Sequence, residues 1–158
     1  MTAEPAPQVD LEVQYALPDA GLPAQQDFRA WVLAALQRCS DPVELVIRVV
    51  DEAESRELNG RYRGKDKATN VLSFPFEAPP GIECRHLGDL VICAPVVKRE
   101  ALEQRKPVRD HWAHMVVHGV LHLCGYDHQS EREAAQMEAL EKRILRDMGI
   151  ADPYRMAM

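Results

Sequence analysis

The segment 118–128 reads H-x-x-x-H-x-x-G-x-x-H, and it constrains the fold before any other feature does. Residues four apart on a helix differ by about 40° in azimuth, so His118 and His122 share a face only if this stretch is helical. Gly125 then offers the helix a left-handed stop, the chain turns, and His128 arrives from the other side. An H-x-x-x-H pair alone is also what two histidines on a half-buried face look like. The added G-x-x-H matches a helix that ends at a glycine and returns a third ligand. Three neutral imidazoles leave the fourth position of a tetrahedral zinc open, as in catalytic sites. The pattern therefore predicts one Zn2+ per chain on His118, His122 and His128, and a zinc-dependent hydrolase.

Neighbouring residues bear on the same site. His111 and His114 extend the stripe toward the helix start. His111 reads as a partly buried, hydrogen-bonded histidine. His114 is balanced between that reading and a place behind the ligands or beside the substrate. Asp127 either orients a ligand imidazole or solvates the loop. Cys124 would point about 200° away from His122 on a continued helix. That argues against a closed site of one cysteine and three histidines, and makes Cys124 a buried or bystander thiol.

The remaining pattern predicts a small sheet with helices around it. Val9, Leu11, Val13 and Tyr15 alternate with polar residues, as in a half-buried strand. Pro23 suits the first turn of a helix on which Phe28, Trp31, Val32, Ala35 and Leu36 recur, ended by Asp41-Pro42. The β-branched stretch Val43–Val50 reads as a second strand. Asp51, with Glu54 three residues on, caps a helix that runs to about Tyr62. Residues 71–76 form a third strand, with Pro75 placing its end near a sheet edge, and 87–93 a fourth. Helices follow over 95–104 and Val108–Leu123. Ser130 with Glu133 opens the last one, whose stripe is Ala134, Met137, Leu140, Ile144 and Met148, closed by Gly149. This order is an α+β domain with a small four-stranded sheet flanked by helices and a metal-binding helix in the C-terminal half. Residues 1–8 read as a flexible tail and 9–158 as a single domain.

Composition limits the partners. The 158 residues are 46% hydrophobic and 28% charged, an ordinary balance for one globular domain. No apolar run is long enough to span a bilayer, and nothing resembles a signal peptide. Cys39, Cys84, Cys93 and Cys124 form no C-x-x-C and read as reduced core residues of a cytoplasmic protein. A net charge of −6 argues against a general nucleic-acid binder but permits a local basic patch.

Such a patch exists. Arg56, Arg61, Arg63, Lys65 and Lys67 face only Glu57 and Asp66 between positions 56 and 67, and the run leads into Thr69-Asn70 and an apolar strand. A charge run of this kind is often only a solvated helix end. Next to a metal, its cations suit the charge of a phosphodiester, with Arg61, Lys65 and Lys67 as candidate RNA contacts. Peptide hydrolysis fits less well. Zinc proteases with this histidine spacing carry a glutamate base after the first histidine, and here that position is Gly119. General-base help contributes a factor of about 10² to 10⁴. The glycine is expected instead to leave room for a bulkier substrate.

Three blocks, LNGRYRGKDKATNVLSFPF from Leu58 to Phe76, LGDLVI from Leu87 to Ile92, and the histidine motif, together resemble the YbeY family of bacterial endoribonucleases, in order and spacing from Val9 to Met148. The resemblance implies a zinc-bound, single-strand-specific endoribonuclease that acts in rRNA maturation, notably at the 3' end of small-subunit rRNA, and in ribosome quality control. It implies a small mixed sheet flanked by helices. His118, His122 and His128 match the family's zinc ligands, and Arg63 matches the arginine needed for cleavage. Single-stranded RNA, rRNA, the small ribosomal subunit and a ribosome-associated GTPase are the implied partners. Ala68 stands where the family usually has proline, so a looser loop is expected there. Cys124 replaces a usual leucine and is expected to pack similarly. Two alternatives remain: a metallopeptidase-like hydrolase on the same site, and a non-catalytic ribosome-assembly factor whose zinc staples the last two helices.

Overall fold

Strands and helices arise where the apolar periodicity places them. The computed structural model describes residues 9–18, 21–36, 43–76, 79–81, 86–126 and 130–154; the 1–8 tail and Asp41-Pro42 lie outside them. Alternation at Val9, Leu11 and Val13 gives strand β1 (Val9–Tyr15), which pairs in parallel with β2 (Val43–Val50). Parallel neighbours need a crossover, and helix α1 (Gln25–Ala35) supplies it, burying Phe28, Trp31 and Val32. Helix α1 starts two residues later than Pro23 suggests. Ala24 is its N-cap, and the Ala24 backbone N–H donates to the Asp27 carboxylate at 2.9 Å.

Strand β2 leads to helix α2 (Glu52–Arg63), whose cap is the predicted one: the Asp51 carboxylate accepts from the Glu54 N–H. Gly64, at φ 69°, closes α2 in the left-handed conformation that disfavours a side chain. Arg61 and Arg63 occupy its last turn, where the helix dipole favours cations. Strand β3 (Val71–Pro75) then pairs antiparallel with β4 (His86–Cys93), and β4 pairs in parallel with β2. The order β1-β2-β4-β3 makes a mixed four-stranded sheet with Pro75 on an edge strand, as expected.

Three helices complete the chain: α3 (Ala94–Glu103), α4 (Val108–Leu123) and α5 (Glu131–Asp147). Leu45, Ile47, Val49, Leu90 and Ile92 pack with α1 and α4 in the main core, while Val50, Leu72, Val91, Cys93 and Val96 form a smaller cluster. Helix α4 is buried on nearly every side, from His111 through Leu123, the mark of a central helix rather than a surface one. No described helix is long and apolar enough to cross a membrane.

The seat of α4 explains Gly119. A Cβ built there would lie 2.7 Å from Leu90 Cδ2, closer than carbon atoms approach. Gly119 therefore faces strand β4, and the expectation that it leaves room for substrate is wrong. Its missing side chain serves helix-to-sheet packing. Leu90 is completely buried, so it has little space to move aside. Overpacking of this kind costs about 1–3 kcal/mol, against a helix-propensity gain from glycine to alanine of about 1 kcal/mol. Gly119→Ala should thus lower the chemical-denaturation midpoint by the equivalent of about 1 kcal/mol, and by no more than about 2 kcal/mol. An unchanged or raised midpoint would mean that Leu90 yields freely.

Candidate active site

Helix α4 and edge strand β3 form the two walls of one cleft. His118 and His122 project from α4, with ring centroids 4.6 Å apart and planes at 77°. Opposite them, period-two alternation sends Val71, Ser73 and Pro75 into the cleft and Leu72 and Phe74 to the far side of the sheet. Arg63 stands at the rim as the last residue of α2. Thr69, Asn70, Gly125 and Tyr126 complete the lining of a space of about 510 Å³.

Hydrogen bonds hold the rim loop in spite of Ala68. The buried Ser55 Oγ accepts from the Thr69 N–H at 2.9 Å and donates to the Thr69 carbonyl at 3.0 Å. The buried Asn59 side chain donates to the Lys67 carbonyl at 2.9 Å. Arg56 grips Asp66 through two bonds of 2.7 and 3.0 Å. The loop is tied to α2 at three points. Asn70 is fixed from both ends: its Oδ1 accepts from the Val71 N–H at 2.6 Å, and its Nδ2 donates to Glu100 at 3.0 Å. Glu100 in turn meets His111 Nε2 at 2.9 Å. Burial alone would raise the Glu100 pKa, but His111 and Asn70 hold it below the usual value.

Behind His118 lies a residue that the motif does not contain. Glu141 of α5 is wholly buried; one oxygen meets His118 Nδ1 and the other accepts from the Tyr154 hydroxyl. His114 Nε2 lies 3.5 Å from Glu141, too poorly aligned to bond, and burial holds His114 below the usual histidine range. Burial would push Glu141 up, but contacts with His114, His118 and Tyr154 outweigh it and lower its pKa to about 2. Burial and Glu141 together push the Tyr154 hydroxyl well above the usual tyrosine range. One donor atom each from His114, His118 and Glu141 lies within 4.8 Å of the others, so this corner could hold a metal ion.

Of the residues singled out from sequence, His118, His122 and Arg63 meet in the cleft. Arg61, Lys65 and Lys67 are exposed around the end of α2, outside its lining. His111 is a buried histidine bonded to Glu100, and His114 sits beside Glu141. Asp127 and His128 lie outside the described residues. Cys124 is exposed rather than buried, because α4 ends there and its side chain leaves the core. Glu141 was missed, although one signal was legible: it is four residues after Met137 and three before Ile144, a charge on an otherwise apolar stripe.

A histidine pair on a buried helix shares a polar cleft with an arginine, a set of side chains that suits a hydrolytic enzyme. Comparison with known proteins specifies which kind. Residues 19–149 match the family model described as Endoribonuclease YbeY. An Endoribonuclease YbeY from Alkalilimnicola ehrlichii is 63% identical over 156 residues, which cover 96% of this chain and 94% of that protein. The chain therefore belongs to the YbeY family of endoribonucleases. In fold, it is similar to the solution structure of a Thermotoga maritima protein, at a TM-score of 0.55 and 22% identity, over 90% of this chain and 99% of the other.

The charge on Glu141 has a pH signature. Its folded pKa lies below its ordinary value of 4.5, at about 2. The stability that it brings is complete above the ordinary value and is lost as pH falls through the folded one. Acid unfolding of the metal-free protein should show a shallower dependence of stability on pH in this window for Glu141→Gln. Equal slopes in variant and wild type would mean that this carboxylate is not held ionised by its neighbours.

Proposed function

We propose that the protein is a zinc-dependent, single-strand-specific endoribonuclease of the cytoplasm, a single domain from residue 9 onward. It acts on rRNA, at the 3' end of the small-subunit rRNA and in ribosome quality control. The small ribosomal subunit and a ribosome-associated GTPase are its proposed partners. The observation that carries this reading is the meeting of Arg63 with His118 and His122 in one cleft, in a chain of this family.

The donor set suits zinc, because imidazole nitrogens are among its preferred ligands. His118, His122 and, by the motif, His128 would hold one ion per chain. When bound, the ion supplies Lewis acidity at the scissile phosphate. The Arg63 guanidinium matches phosphate oxygens in a two-pronged geometry and steadies the charge that grows on them. The Thr69 and Ser73 hydroxyls can bond the sugar-phosphate backbone, while Asn70, held by Glu100, keeps that wall rigid. Arg61, Lys65 and Lys67 extend the cationic field to flanking phosphates. No carboxylate lines the cleft among the described residues.

Single strands are favoured by Tyr126, which lines the cleft with 40% of its surface exposed. An unpaired base can stack on such a ring for about 1–3 kcal/mol. Peptide hydrolysis is disfavoured because Gly119 offers no base and faces Leu90.

Zinc-loaded protein should cut single-stranded RNA and spare duplex, with loss of activity on chelation. His118→Ala and Arg63→Ala should each reduce cutting by about 10²- to 10³-fold. Undiminished cutting by both variants would expose a contaminating nuclease. Binding of rRNA by metal-loaded protein without cleavage would select the assembly-factor reading, and chelator-sensitive cleavage of peptides alone would select the peptidase. Tyr126→Ala should weaken single-strand binding by about 1–3 kcal/mol; unaltered affinity would remove the stacking role.

A further inference from the structure

The proposed zinc site is backed by a wall that lies outside the histidine motif. His118 turns its Nδ1 onto Glu141, and Glu141 takes the Tyr154 hydroxyl on its other oxygen. A metal-ligating histidine characteristically donates its other ring N–H to a carboxylate, a carbonyl or water, and at His118 the group that stands against Nδ1 is the Glu141 carboxylate. An imidazole coordinates through the nitrogen that its other hydrogen bond leaves available. With Nδ1 turned to Glu141, Nε2 is the nitrogen through which His118 would hold the ion.

Tyr154 is itself fixed in place. It follows α5 in the segment 151–154, its backbone N–H donates to Asp152 Oδ1 at 2.9 Å, and its ring meets His114 edge-on at 5.3 Å. The Pro153 carbonyl accepts from Lys106 between α3 and α4. Lys142 Nζ lies 5.8 Å from the centre of the Tyr154 ring.

We propose that Glu141 and Tyr154 are positioning residues of the metal site: Glu141 sets the tautomer and orientation of His118, and Tyr154 holds Glu141. This rests on the reading of His118 as a metal ligand. Although Glu141 belongs to a corner that could itself hold a cation, its role in this proposal is to act through His118 rather than as a ligand. Its two oxygens are already bonded, it is wholly buried, and it does not line the cleft. The residues after α5 thereby become part of the metal site, although the motif ends before α5 begins.

The test measures metal affinity in the full chain, with zinc by chelator competition and with cobalt(II) by its visible absorption bands. Circular dichroism and melting of the metal-free proteins report folding. Partners of this kind change affinity about 10- to 100-fold. Glu141→Gln should fall in that range and Tyr154→Phe near its lower end, both retaining one metal per chain and cobalt bands of wild-type intensity. The double variant should bind no more weakly than Glu141→Gln alone, because Tyr154 acts through Glu141. Tyr154→Phe removes only a hydroxyl from a ring that is 42% exposed, so it keeps the test decisive if Glu141→Gln fails to fold. Wild-type affinity in the single variants would overturn the inference, as would additive losses. Weakened cobalt bands or lost stoichiometry in Glu141→Gln would make Glu141 a ligand and overturn it too. If His118→Ala abolishes binding while the Glu141 and Tyr154 variants bind normally, only this inference falls. If the wild-type chain binds no metal, the zinc reading falls with it.

Discussion

Helix α4 lies directly on strand β4 because Gly119 has no side chain to hold it off Leu90, and the geometry of the cleft depends on that contact. The Ser73 hydroxyl comes within 3.5 Å of the Gly119 carbonyl, so α4 also closes on β3. A Cβ at 119 would press on Leu90 Cδ2 at 2.7 Å, so Leu90 or the helix that carries His118 and His122 would have to give way. Dense interiors transmit such a shift rather than absorb it. The position at which related histidine motifs carry a catalytic glutamate is used here for packing, and the chemistry must be assembled from elsewhere.

It is assembled from elements far apart in the chain. Arg63 reaches the rim because α2 ends there at Gly64, and Ser55 and Asn59 hold the returning loop by its backbone. These are neutral side-chain bonds in buried positions, where an unmet partner is costly, and they make a charged loop rigid. The histidines face two environments. Toward the cleft, His118 and His122 share the lining with polar groups and Arg63; toward the interior, His114 and His118 meet Glu141. Burial keeps His114 neutral, while its neighbours keep Glu141 ionised. A site that places an ionised carboxylate behind its imidazoles suits a cation better than a bare histidine cluster would.

Much of the fold was legible because its signals are local. The Asp51 and Ser130 caps, the alternation in β1 and the stop after α4 at Gly125 each depend on residues a few positions apart. Pro75 on an edge strand follows from its missing N–H. Failures of the local reading have equally physical reasons. Pro23 lies outside α1 because the Ala24 N–H found a better cap in Asp27. Cys124 is exposed because a helix that ends at residue 123 no longer directs the next side chain inward.

By itself, the sequence determined that two histidines share a helical face, that a glycine ends that helix, and that a cationic segment precedes an apolar strand. All three follow from periodicity and backbone preference, which act over one or two turns. Only the tertiary structure decided that Gly119 faces the sheet, that Arg63 meets the histidines, and that Glu141 and Tyr154 stand behind His118. The link from His118 to Glu141 spans 23 positions, and nothing short of the packed core of sheet, α4 and α5 brings such residues together.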